Sequence, residues 1–262
     1  MQAINRILLF FYAGLNWVFF SIRSSLHWYG RHYQEKPAGT LSQLSDRQSV
    51  IIRHLHRQYP ARFEETLNEQ NAVRNYHLLH LFDQVSERFH WKPKEGERII
   101  DIGSKNFYYA PAVHTFFKPR QFVGIELDGF HLYRGFYTNA SYADYYAKQI
   151  PNTVYQVMNF KDYHEPVDGI VWLFPFVLQE DVLTWYLPRN AFEPMALFQH
   201  AREILCPTGF LFVVNTDMEE FTLTKEFLCR IGFKQKGLEI YENGLLPKKI
   251  TPYVSLWTDE IG

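Results

Sequence analysis

Arg98-Ile99-Ile100-Asp101-Ile102-Gly103 is an apolar, β-branched run that stops at a carboxylate and a glycine. Gln121-Phe122-Val123-Gly124-Ile125-Glu126 repeats the pattern, with its carboxylate 25 residues after Asp101. Short apolar runs bounded by turn residues read as strands buried on both faces, and a helix starting near Tyr108 fits between them. A glycine just after a strand lets a ligand approach the backbone closely, and the next helix offers unpaired N–H groups at its amino end. A carboxylate at the tip of the second strand can accept both hydroxyls of a ribose. Asp101, Gly103 and Glu126 are therefore the first candidate site residues.

The rest of the chain bounds what surrounds this unit. With 262 residues, 47% hydrophobic and 21% charged, it can bury a full core. Its 27 basic and 28 acidic residues leave a net charge of -1, which gives no global electrostatic case for nucleic acid. Cys206 and Cys229 are too few for a disulfide framework and fit a reducing, cytoplasmic compartment. His77 and His80 stand three apart on a helical stretch, but no carboxylate or cysteine at matching spacing supports a metal site, and none is expected.

At the amino terminus, residues 7–22 read ILLFFYAGLNWVFFSI between Arg6 and Arg23, with no charge inside the run. Sixteen residues is short of the roughly 20 that span a bilayer. His27, Trp28, Tyr29, Arg31, His32 and Tyr33 follow as a basic and aromatic cluster of the type found at headgroup level. Two outcomes are expected for this run: burial against the chain's own domain or a second copy, or peripheral association with a membrane surface. Lys36 to Thr40 reads as a linker, followed by helices over about 45–59 and 63–91. The chain thus divides into an apolar helical segment at 1–35, a helical extension at 36–92 and an α/β domain at 93–262.

From residue 93 onward the order of elements resembles the class I S-adenosylmethionine-dependent methyltransferases. The matching runs are IIDIGS (99–104), FVGIELD (122–128), YQVMNF (155–160), DGIVWLFPFV (168–177), a helix over 194–205, the turn Cys206-Pro207-Thr208-Gly209, and GFLFVVN (209–215). The resemblance implies a Rossmann-like three-layer α/β sandwich with a mostly parallel seven-stranded sheet and an antiparallel final strand, preceded by amino-terminal helices. It implies S-adenosylmethionine as cofactor. Asp101, Gly103, Ser104 and Asn106 would shape the methionine end, Glu126 would hold the ribose, and Leu127 would flank the adenine. Asn159 would read the adenine amine through its amide oxygen, with Phe160 beside it.

The family pattern D-x-G-x-G-x-G is incomplete: Lys105 and Phe107 stand at the second and third glycine positions, so the turn is expected to be rebuilt around Asn106. Leu173-Phe174-Pro175-Phe176 is similar to a proline-aromatic motif of amine-methylating members, with Leu173 where that motif has a polar residue. Two alternatives stand beside methyl transfer: a methyltransferase-like binding protein without catalysis, and an NAD-dependent oxidoreductase, whose G-x-G-x-x-G fingerprint GSKNFY (103–108) lacks. No catalytic residue is singled out; Tyr108, Tyr109, His131, Tyr133, His164, Trp172 and Asp217 lie near the expected rim. The tyrosines at 133, 137, 142, 145 and 146 either form a wall for a small-molecule or lipidic acceptor or pack between the helix and sheet layers.

Overall fold

The computed structural model describes residues 2–133, 135–242, 244–247 and 250–259, with side chains from Tyr12 onward. Five of the 16 positions in the amino-terminal apolar run, and Asn243 of the carboxy-terminal turn, lie outside the described side chains.

Seven strands form one sheet: β1 (Arg98–Ile102), β2 (Gln121–Glu126), β3 (Thr153–Val157), β4 (Val167–Leu173), β5 (Leu205–Asn215), β6 (Phe233–Ile240) and β7 (Tyr253–Asp259). Their order is β3-β2-β1-β4-β5-β7-β6. The pairs from β3 to β5 are parallel, and β7 inserts antiparallel between β5 and β6, as the sequence order implies.

The helices are α1 (Gln2–Leu26), α2 (Asp46–Gln58), α3 (Glu69–Phe89), α4 (Ala110–Phe117), α5 (Asn139–Lys148), α6 (Gln179–Thr184), α7 (Pro194–Ile204) and α8 (Met218–Arg230). The period of two along the strands sends alternate residues to opposite faces. Ile99, Phe210 and Phe212 face the core shared with α2, α3, α4 and α5, whereas Ile100, Leu211 and Val213 face Phe198 of α7 and Leu228 of α8. This is the three-layer sandwich. The extension at 36–92 contributes Leu55, Leu79 and Phe82 to the first of these cores.

One local expectation changes. The second helix begins at Glu69 rather than near Phe63, because Asn68 Oδ1 accepts from the Asn71 amide and caps it, leaving only a single 3-10 turn at Phe63–Glu65. The tyrosines at 137, 142, 145 and 146 pack together with a ring from the amino-terminal segment. Their ring centroids lie 4.1 to 6.0 Å from that of Tyr33, which the amino-terminal segment inserts among them. Burying five rings together removes more apolar surface from water than leaving them along a cleft.

Candidate functional site

Strand order reverses between β1 and β4, and in open α/β sheets the crevice at the carboxyl ends beside such a reversal is where ligands bind. The turn leaving β1 enters this crevice. Gly103 is exposed at φ +73°, and a Cβ added there would meet nothing within 4 Å, so the backbone faces open space. Gly103 N and Ser104 N both donate to Ile125 O, at 2.9 and 3.1 Å, pinning the turn to β2.

The turn keeps left-handed backbone at every second residue: Gly103 at φ +73°, Lys105 at +49° and Phe107 at +59°. The expectation that it is rebuilt around Asn106 is therefore corrected, since Asn106 does not have positive φ. The alternation of the glycine motif persists although two of its glycines are gone. For a residue with a Cβ this conformation costs roughly 1–2 kcal/mol. The Phe107 ring is fully buried and rests where a Cβ on Gly124 would come within 2.7 Å of it, so a glycine on the neighbouring strand makes the room. Tyr155 Oη donates to Lys105 O at 2.5 Å and holds the strained turn from the far side.

Asp101 is fully buried at the end of β1. Its Oδ2 accepts from Tyr109 Oη at 2.7 Å, and its Oδ1 has no partner. Burial pushes its carboxyl up to about 7, against the hydrogen bonds from Tyr109 and Ser104. Ser104 Oγ donates to Asp101 O at 2.8 Å, and Asn106 Oδ1 is a second buried acceptor without a partner.

At the tip of β2, Glu126 accepts from the Asp128 amide on Oε1 at 2.8 Å and from the Lys105 amide on Oε2 at 2.7 Å. Burial raises its pKa, and these two backbone bonds oppose the shift. A carboxylate offers about four lone-pair sites, so each oxygen retains one. Leu127 is half-buried beside it.

Two expected contributors turn away. Asn159 spends its amide oxygen on the Lys161 amide, 3.0 Å away, capping a 3-10 turn, and Phe160 packs inward against Trp172 and His200. Of the rim candidates, Trp172 is buried, Asp217 caps α8 by accepting from the Glu220 amide, and His164 stands beside His200 in the segment leading into β4, at the opposite end of that strand. Tyr109 and His131 are at the crevice. The His131 ring stacks on Tyr186, and its Nδ1 lies 3.3 Å from Asp128. The paired histidines are structural: His80 meets Tyr241 Oη at 2.8 Å and His77 Nδ1 accepts from the Leu245 amide.

Sequence reasoning missed how the crevice is covered. Lys105 Nζ sits 3.7 Å from the centroid of the Trp185 ring, just after α6, so the β1 turn reaches across to the segment that follows β4. Helix α1 lies alongside. Asn16 Nδ2 donates to Leu183 O and Leu187 O, and Arg23 makes two 2.6 Å bonds to the buried Asp128 and a third to Tyr186 O. The contact depends on a separation of 105 residues between Arg23 and Asp128, and no local pattern encodes it.

No protein-family model and no curated protein matches the sequence. Solved structures do match. A chain from the complex between a Haloferax volcanii methyltransferase activator and a methyltransferase superposes with a TM-score of 0.51 at 12% identity, over 83% of this chain and 99% of that one. A SAM-dependent methyltransferase from Aquifex aeolicus gives 0.48 at 17% identity, over 67% and 88%. The chain has the class I methyltransferase fold. Within that fold the turn at 103–107 and the carboxylate at 126 occupy the crevice where the sheet order reverses, and α1 lies over it.

Proposed function

We propose that the crevice binds S-adenosylmethionine and that the chain transfers its methyl group to an acceptor. The observation that carries this reading is the left-handed backbone at residues 103, 105 and 107 together with Glu126 held against that turn. Strain of this kind persists where the surrounding structure enforces it, and it concentrates at ligand sites. The cofactor fits the residues present. Gly103 opens onto free space, Asp101 Oδ1 and Asn106 Oδ1 are buried acceptors without donors, and Glu126 keeps a lone pair on each oxygen for a ribose hydroxyl.

When bound, the cofactor supplies an electrophilic methyl group on a cationic sulfur. Leu127 would flank its adenine, and Asp101 and Gly103 would face its methionine end. The protein's share of such a displacement is to hold donor and acceptor aligned and to exclude water. The cover formed by α1, Trp185 and Lys105 serves that exclusion. The carboxylates lend negative potential near a cationic ligand.

Calorimetric titration with S-adenosylmethionine and S-adenosylhomocysteine, with NAD as control, tests the reading. Saturable binding of the first two and none of the third is expected. Glu126→Ala should weaken both by about 1 to 3 kcal/mol, the cost of losing a hydrogen-bonding carboxylate in a desolvated site. An unchanged affinity would remove the ribose assignment. The second reading, a methyltransferase-like binding protein without catalysis, draws on Lys105, whose cation enters the same crevice. Absence of binding by either sulfur compound would favour it.

A further inference from the structure

Helix α1 is docked inside out. Its inward contacts are polar: Asn16 is buried on two carbonyls and Arg23 grips Asp128. Large apolar residues point to solvent, with Leu15 at 45%, Val18 at 43%, Phe19 at 59%, Ile22 at 51% and Leu26 at 69% exposed. The spacing of these five is three, one, three and four, a stripe along one side of the helix; Tyr12 flanks it, and Trp17 on the far side is exposed as well. A helix folded for water alone would turn that stripe inward, because burying it removes apolar surface from water. Trp28 and Tyr29, just beyond the helix, are also half exposed, as are Trp185 and Tyr186 at the crevice.

Charge indicates what covers the stripe. The first 34 residues hold Arg6, Arg23 and Arg31 and no acidic residue; Arg23 is taken up by Asp128, which leaves Arg6 and Arg31, whereas the rest of the chain holds 24 basic and 28 acidic residues. A cationic, aromatic-edged apolar stripe on an otherwise acidic protein complements an anionic bilayer surface, where Trp and Tyr settle at headgroup level and basic residues are attracted to the lipid charge. A second copy docked stripe to stripe would bring like charge to like charge. Among the described residues no helix is long and apolar enough to cross a membrane.

We infer that the outer face of α1 docks on an anionic lipid surface and sets the crevice at the membrane. The docking rests on α1 alone and holds whether or not the crevice transfers methyl groups.

The full chain should co-sediment with vesicles of phosphatidylcholine and phosphatidylglycerol and bind vesicles of phosphatidylcholine alone at least about tenfold more weakly. The double variant F19D/I22D alters only exposed side chains, so its circular dichroism and melting should match the parent while its vesicle affinity falls about tenfold or more. Failure of the parent to bind the anionic vesicles would overturn the inference. So would equal binding by the double variant, or a solution dimer that this variant abolishes in a chain indifferent to vesicles, since the occupant would then be a second copy.

Discussion

Lys105 stands in left-handed backbone at a glycine position, with its ammonium over Trp185. Replacing it by glycine relieves about 1 kcal/mol of backbone strain and forfeits a cation–π contact of similar size, so stability should barely move. Ligand preference should move. A cation in the crevice would repel a cationic sulfonium bound there, by about 1 kcal/mol at the dielectric of a partly buried site. Lys105→Gly should therefore raise affinity for S-adenosylmethionine about threefold to tenfold relative to uncharged S-adenosylhomocysteine, read by paired calorimetric titrations. Asp101 makes a pH prediction. Its carboxyl titrates near 7 in the fold and near 3.9 when unfolded, so between those values the folded state holds the extra proton. Its contribution to stability is largest below about 4, declines as pH rises toward 7, and levels off above. Asp101→Asn keeps an acceptor for Tyr109 and removes the charge. Its melting temperature should gain on that of the parent as pH rises from about 4 to about 8, by the equivalent of a few kcal/mol. At this scale the sequence placed a carboxylate at the end of each of the first two strands, where the structure has Asp101 and Glu126. It did not show that Asn159 would spend its oxygen on a backbone amide, because that depends on the turn after β3.

The elements around the site divide by how local their signals are. Ser45 with Gln48 forms a complete capping box, and the first long helix starts where that pattern places it. The second starts later than its apolar period suggests, because a single asparagine cap outweighs the period running up to it. Helix α1 is legible as a helix, and its docking is not: the same apolar run suits a core helix, a second copy or a lipid surface, and only the polar contacts of Asn16 and Arg23 reveal which side faces inward. Those contacts are testable. Arg23→Ala leaves the buried Asp128 without its bidentate partner, with the His131 ring beside it among the described residues. Because Arg23 keeps some solvent contact, the loss should be about 2 to 4 kcal/mol in denaturant unfolding, somewhat below a fully enclosed pair. Hydrogen exchange should show the amides of α1 and Leu187 losing protection first.

Over the whole molecule, the amino-terminal segment and the sheet are joined through Tyr33, whose ring meets four other tyrosines, and through Glu35, whose Oε1 accepts from Asn68 and Asn71. Tyr33→Ala removes the ring at the centre of that cluster and, because Tyr33 is half-buried, should cost about 1 to 3 kcal/mol in chemical denaturation, below the figure for a fully enclosed ring. The loss should appear in one cooperative transition shared with the sheet. A separate early transition confined to the amino-terminal segment would show instead that it folds apart from the rest. The sequence by itself determined the alternation of strand and helix and the carboxylate at each of the first two strand tips, because these follow from period and turn residues within short stretches; the insertion of the last strand was implied only by the resemblance. Only the tertiary structure decided that the turn keeps glycine geometry without its glycines, since Gly124 on the neighbouring strand makes space for Phe107. It also decided that the tyrosines hold the amino-terminal segment and that α1 covers the crevice with its apolar side outward. Each of these is a contact between residues far apart in the chain, and residue pattern carries no record of which distant side chain will occupy a given space.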